Sequence, residues 1–229
     1  ITPLPFSRNV RRKELPWLLG ATFLAVILMF DRHLGFVDGL ILLLGLAYIL
    51  WQLVVSQSDP EYSTDAIADE LDELPEMTNK QSIFWLAIGL IVLLASAQVL
   101  VYAATNIAST LGVSDMIIGL TIVAVGTSLP ELAATVGSAL KGQPDIAIGN
   151  VVGSNILNIL AVLAVPGLIN ATDMNYAALW RDSGLMLALT LMLALFAYGI
   201  NSRAVITRFE GAVMLMAWMG YNLLLIQQA

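Results

Sequence analysis

No cysteine occurs anywhere in the 229-residue chain, which excludes disulfides, thiolate nucleophiles and zinc–thiolate centres. The single histidine, His33, flanks a short loop and reads as an ordinary boundary residue. Charge is scarce. Only 12% of the residues are Asp, Glu, Lys or Arg, about half of the roughly 25% typical of a soluble domain. No extended basic stretch is present to follow a nucleic-acid backbone. No histidine pair, paired aspartates or Ser/Lys dyad lies within the apolar segments, so an intramembrane hydrolase has little support and no enzymatic chemistry is expected.

What the chain does have is apolar residues in blocks. Hydrophobic residues make up 59% of it, with a mean hydropathy of +0.84. Seven apolar segments can be marked: Leu15–Phe30, Val37–Val55, Ser82–Leu111, Met116–Leu140, Ile146–Ile169, Ser183–Ile200 and Val205–Ile226. Each lies near the ~20 residues needed to cross the hydrocarbon. The expected class is an all-α polytopic membrane protein, with the lipid bilayer as its solvent. Pro16 suits the first turn of a helix, where its missing donor costs nothing. The third segment is too long for one straight span, so its end is expected to fray or tilt. Short hinges at Asp31–Phe36, Gly112–Asp115 and Lys141–Asp145 force neighbouring helices to run antiparallel.

The charges set an orientation. With seven spans, one side collects Arg8, Arg11, Arg12, Lys13, Lys80, Lys141, Arg203 and Arg208, and the other only Arg32 and Arg181. That bias places the start of the chain, the 56–81 loop, the 141–145 turn and the 201–204 turn in the cytoplasm, and the C-terminus outside. Eight of the seventeen acids lie between Asp59 and Glu76. The segment reads as an acidic linker, 56–81, between two preceding spans (1–55) and five following ones (82–229). It lacks the spacing of a calcium-binding loop. The first residues have no signal-peptide pattern and begin with Ile1, so the chain is expected to be the remainder of a longer protein.

Two polar motifs interrupt the apolar blocks. The first is Gly119-Leu-Thr-Ile-Val-Ala-Val-Gly-Thr-Ser-Leu-Pro-Glu131. A carboxylate inside a membrane costs several kcal/mol and normally faces a partner or a wet cavity. Pro130 removes a backbone donor just before Glu131 and is expected to disrupt the helix, freeing a carbonyl near Gly126. Thr127 and Ser128 lie one helical turn before Glu131 and share its face. Carboxylate, hydroxyl and carbonyl oxygens together suit a hard cation.

The second motif is Gly149-Asn-Val-Val-Gly-Ser-Asn-Ile-Leu-Asn158. Ser154, Asn155 and Asn158 fall at helical spacing. Glu131 and Asn155 each lie about ten residues from the turn between them, so they are expected at similar depth, with Asn158 roughly 4 Å further on. Asn150 and Asn155 can equally serve as interhelical glue. No lysine or arginine lies at that depth, so Glu131 needs a cation or a proton. Asp115 reads as a helix-start residue, Arg181 and Asp182 as part of an outer loop, and Glu210 as a near-surface residue.

These two motifs, in order and at this separation, resemble the alpha-repeat of the cation/calcium antiporter superfamily, and most of all that of the bacterial and archaeal calcium/sodium antiporters. The resemblance implies ten helices in two inverted halves, each giving one alpha-repeat to a shared central ion site. This chain would be the last seven of the ten, with its repeat at 116–160. The first repeat, with its own glutamate, would lie upstream in a missing N-terminal half. Glu131 would coordinate calcium. Thr127, Ser128 and the Ala124 carbonyl would line the sodium and calcium sites, and Ser154, Asn155 and Asn158 would face them from the next helix.

Some members carry aspartate where Asn158 stands here, which removes one charge and leaves the coupling ion, stoichiometry and any potassium dependence open. The implied activity is exchange of Ca2+ for Na+ by alternating access in the cell inner (plasma) membrane, which the chain would cross several times. No cofactor is implied besides the transported ions. A Ca2+/H+ antiporter of the same fold, or a membrane scaffold that transports nothing, remains open. Residues 1–229 alone would hold half of the ion's first shell and are not expected to transport.

Overall fold

The computed structural model describes residues 3–56, 78–199 and 204–228. Most of the expected acidic linker, 57–77, lies outside the described residues, as do Arg203 and its neighbours. The architecture is helical, with two short pairs of strands clipping loops together.

A π-helical turn, Val10–Glu14, runs directly into helix α1 (Leu15–Leu28). Pro16 sits at the start of α1, where its missing N–H costs nothing. Along α1, Leu15, Leu18, Ala21, Thr22 and Ala25 are buried, the repeat of one helical face. Thr22 is fully buried, and its hydroxyl donates back to the Leu18 carbonyl at 2.8 Å. Three helices pack around α1: α2 (Phe36–Ser56), α7 (Pro144–Leu157) and α9 (Tyr176–Tyr198). Leu42 and Ile49 from α2, Ile148, Val152 and Ile156 from α7, and Leu179 and Ala197 from α9 complete the core. A short helix, α8 (Ala164–Ile169), lies along α2. It comes so close that a Cβ on Gly39 would stand 2.8 Å from the Ala164 carbonyl, and one on Gly167 would stand 2.7 Å from that of Gly35.

Outside this core lie α3 (Asn79–Thr110), the broken segment α4 (Asp115–Ile118), α5 (Ala124–Thr127) and α6 (Leu129–Leu140), and the last helix α10 (Arg208–Gln228). Of the two expectations for the end of the third segment, fraying or tilting, fraying is corrected. α3 is one unbroken helix of 32 residues, secured at its start by a reciprocal cap in which Thr78 N–H donates to Gln81 Oε1 at 3.1 Å. Its large apolar side chains, among them Phe84, Trp85, Leu90 and Tyr102, are exposed.

Glu210 caps the start of α10 in the same way, accepting from Thr207 N–H at 2.7 Å. That is a more specific role than the sequence suggested. Arg181 and Asp182 also differ from expectation: α9 begins at Tyr176, so both lie inside a helix rather than in a loop. There Arg181 donates to Asp182 at 2.6 Å, and the Tyr221 hydroxyl of α10 donates to Asp182 at 2.9 Å.

Among the described residues, four helices are long and apolar enough to cross a membrane: 36–55, 79–110, 144–169 and 179–198. A fifth, 121–140, qualifies if its bent halves count together. α1, with 14 residues, and α10 lie outside that count.

The strand pairs fix which loops share an end of the bundle. β1 (Leu4–Pro5) pairs antiparallel with β4 (Val205–Ile206), and β2 (His33–Leu34) with β3 (Thr172–Asp173). At the second pair His33 is more than a boundary residue. Its Nδ1 lies 2.8 Å from Asp173 Oδ1.

That hydrogen bond raises the His33 pKa above its ordinary 6.5, with the charges of Asp173, Asp31 and Asp38 adding to it. A raised folded value means that the contribution is fully present below 6.5 and is lost as pH rises through the folded pKa. Asp173→Asn is therefore expected to lower the melting temperature of the detergent-solubilised protein on the acid side of that window and to have little effect at alkaline pH. Melting curves of both proteins across the window check this. Equal losses at both pH extremes would count against it.

Candidate functional site

The first polar motif forms a helix that stops and restarts. A π-helical turn at Gly119–Val123 is followed by α5, then by a break at Ser128 (φ −94°, ψ 2°), and then by α6. The two halves meet at 48°. The sequence expectation placed the disruption at Pro130. The chain breaks two residues earlier, and Pro130 occupies the first turn of the new helix, where it has no hydrogen bond to lose.

Backbone groups are rearranged around the break. Ser128 N–H donates to Val125 O at 3.1 Å, three residues back rather than four. Pro130 has no N–H to return to Gly126. The Ala124 carbonyl instead accepts the Thr127 hydroxyl at 3.1 Å. Acceptor oxygens thus collect immediately before Glu131, which opens α6 in its first turn.

α5 is held tightly against α3. Gly126 is buried against Val101, and any Cβ there would collide with the Val101 side chain. One helical turn along α3 from Val101, Thr105 Oγ1 is likewise buried, without a hydrogen-bond partner.

The second motif lies on α7 and on the π-helical turn Asn158–Val162 that continues it. α6 and α7 form an antiparallel hairpin across the turn at Lys141–Gln143, where Gly142 takes φ +74°. A single side chain fastens the two helices. Asn150 Nδ2 donates to the Glu131 carbonyl at 2.9 Å and to Thr135 Oγ1 at 2.8 Å. Sequence reading left Asn150 as possible glue. It is glue, and what it grips is the backbone of Glu131 itself.

The remaining predicted residues divide by what satisfies them. Ser154 Oγ donates to Val151 O at 3.1 Å, and Asn155 Nδ2 donates to the same carbonyl at 2.7 Å. Both therefore keep acceptor oxygens unspent. The Asn158 carbonyl accepts from Leu163 N–H at 3.1 Å, five residues on, and the Asn158 side chain is exposed. Glu131 is half-buried, and its Oε2 is buried with no hydrogen-bond partner. Among the described residues no cluster of three acids or histidines forms. A cation beside Glu131 would therefore take most of its ligands from neutral oxygens.

None of the three π-helical turns was read from sequence. No residue type marks one, although such turns occur often at functional sites. Here one turn opens the first motif and another begins at Asn158, the last residue of the second, and each adds a residue to the helical path. That shifts which side chains face the hairpin.

Residues 81–227 match the family described as sodium/calcium exchanger protein. CaxA of Alkalimonas amylolytica, named as an antiporter, is 41% identical over 226 residues, covering 98% of this chain and 71% of that protein. The inner membrane protein YrbG of Escherichia coli K12 is 34% identical over 201 residues, covering 86% and 62%. A solved structure of the sodium-calcium exchanger NCX_Mj, soaked with Na+ and Sr2+, superposes with a TM-score of 0.74 at 30% identity, covering 95% of this chain and 66% of that one. The chain thus spans about two thirds of the length of these relatives.

Two substitutions test the geometry. Asn150→Ala strands two polar groups and is expected to cost about 1–3 kcal/mol, read from unfolding in detergent. Gly126→Ala is expected to cost about 1–3 kcal/mol through overpacking. Val101→Ala in the same protein should recover much of that loss, whereas additive losses would place the clash elsewhere.

Proposed function

Because the chain belongs to the sodium/calcium exchanger protein family, we propose that it forms the greater part of a secondary antiporter that exchanges Ca2+ for Na+ across the inner (plasma) membrane. The observation that carries this reading is the buried, unpartnered Oε2 of Glu131 beside a broken helix. A half-buried carboxylate oxygen with no donor is costly unless a cation or proton arrives to satisfy it. Broken helices that open backbone oxygens toward such a group are how transporters build ion sites.

In this reading Glu131 supplies the charge. The Thr127 and Ser128 hydroxyls and the Ala124 carbonyl add hard oxygen ligands from the break. Ser154, Asn155 and Asn158 add oxygens from the facing helix. One carboxylate cannot neutralise a divalent ion, so a second acid is assigned to a second repeat in the whole protein, outside residues 1–229. Ca2+ and Na+ compete for overlapping oxygens, and alternating access carries each across in turn.

The reading also takes α1 and α10 as crossing segments, giving seven spans, with the 57–77 segment on the cytoplasmic side. Two observations support the alternation up to the start of α10. Strand pairing joins 4–5 to 205–206 and 33–34 to 172–173, and in each case the paired loops are ones that a seven-span path puts on the same side. The unpartnered Oε2 would equally suit a proton as the counter-ion, so the driving gradient is part of the test.

In the full-length protein reconstituted into vesicles, 45Ca2+ uptake is expected to follow an outward Na+ gradient. Glu131→Gln should lower it at least about tenfold, the scale at which even groups that only support a ligand count. Uptake unchanged by the substitution removes Glu131 from the site. Uptake driven by a pH gradient and indifferent to Na+ replaces sodium with a proton.

A further inference from the structure

A second polar site lies at the basic end of α1, on residues the exchange reaction does not use. Arg8, Arg11, Arg12 and Lys13 precede the helix, four cations within six positions. Three of them, Arg8, Arg11 and Arg12, line a cavity of about 370 Å3 with Tyr198 from the end of α9. Arg11 is pinned there, because the Tyr198 hydroxyl donates to its carbonyl at 2.7 Å. The Arg11 Nε is buried yet has no hydrogen-bond partner. A guanidinium N–H taken from water without an acceptor is costly, and three guanidinium groups around one cavity repel one another. Glu14, the next acid in sequence, turns its carboxylate toward Gly149 of α7 rather than into the cavity.

Arg12 also lines a second cavity, of about 450 Å3, between α1 and α2, where Lys13 and Gln52 join Pro16, Trp17, Gly20 and Leu53. Arginines around a hollow at one end and a mainly apolar groove along two helices at the other match the two parts of a phospholipid. Arginine suits the first part because its planar fork binds phosphate oxygens bidentately. A Cβ at Gly20 would meet nothing within 4 Å, so the groove is open there for an acyl chain.

We propose that Arg8, Arg11, Arg12 and Tyr198, with the Pro16–Gly20 groove beside them, form a binding site for an anionic phospholipid, the arginines taking its phosphate and the groove its acyl chain. Basic pockets between transmembrane helices are suited to such headgroups. The same arginines could hold free inorganic phosphate, and the groove is what distinguishes the two sources.

Native mass spectrometry of the purified, delipidated protein tests this, with phosphatidylglycerol, phosphatidylcholine and inorganic phosphate added back separately. Phosphatidylglycerol is expected to be retained in preference to phosphatidylcholine. Replacing Arg8, Arg11 and Arg12 with glutamine should weaken it about fivefold for each charge removed, the value of one charge at an anionic surface. Gly20→Leu, which fills the groove and leaves every charge in place, should weaken the lipid several-fold and leave inorganic phosphate unaffected.

If the triple variant fails to fold, Arg11→Lys keeps the charge without the fork, and with Gly20→Leu it decides the matter. Equal retention of the two lipids, or retention of phosphatidylglycerol unchanged in these variants, overturns the proposal. Inorganic phosphate that binds as tightly as the lipid, with Gly20→Leu affecting neither, overturns the lipid assignment.

Discussion

A helix that stops inside an apolar slab leaves polar groups with no water to satisfy them, and this chain's architecture is organised around one such stop. At Ser128 the hydrogen-bond ladder slips, Pro130 contributes no donor, and the following residue is a glutamate. The freed oxygens and the Glu131 carboxylate cannot be left facing hydrocarbon. Just past the break, Asn150 reaches across from α7 to the Glu131 carbonyl and ties α7 to the restarted helix. The Glu131 carboxylate keeps one buried oxygen, Oε2, without a hydrogen-bond partner, and the proposed cation site rests on that oxygen.

The rest of the fold holds this hairpin from one side. α7 carries the second polar motif on one face and buries Ile148, Val152 and Ile156 on another, against α1. α1 is in turn clasped by α2 and α9. The broken segment leans on α3 through the Gly126–Val101 contact, while α3 itself exposes most of its apolar surface. One wall of the candidate site therefore belongs to a packed bundle, and the other to a helix with far fewer burying partners.

Much of this was legible in the residues. A carboxylate and a proline in one apolar block mark a disturbed polar helix, because proline removes a ladder hydrogen bond and the carboxylate cannot face hydrocarbon. Glycine and proline at Lys141–Pro144 mark the hairpin turn, since each closes off helical continuation. The reading failed where one local pattern permits two structures. Tyr176–Asp182 could be loop or helix by composition, and the pairing of Asp182 with Tyr221 on another helix goes with the helical choice. His33 looked incidental because its partner is 140 positions away. The π-helical turns left no trace, because the same residues fit an α-helix equally well and packing selects the wider turn.

By itself, then, the sequence determined the class, the interrupted helix and the polar residues placed within apolar segments. Those follow from the cost of putting polar groups in hydrocarbon, a cost set by residue type alone. It could not determine which face of each helix is inward. Helices such as α1 are apolar all round, so no periodicity in the pattern selects a side. Tertiary structure decided that α1 is central and α3 peripheral, that Asn150 rather than Asn155 grips the Glu131 backbone, and that three arginines surround one hollow. Each of these is a relation between distant segments, fixed by close packing and hydrogen-bond geometry that exist only once the helices are assembled.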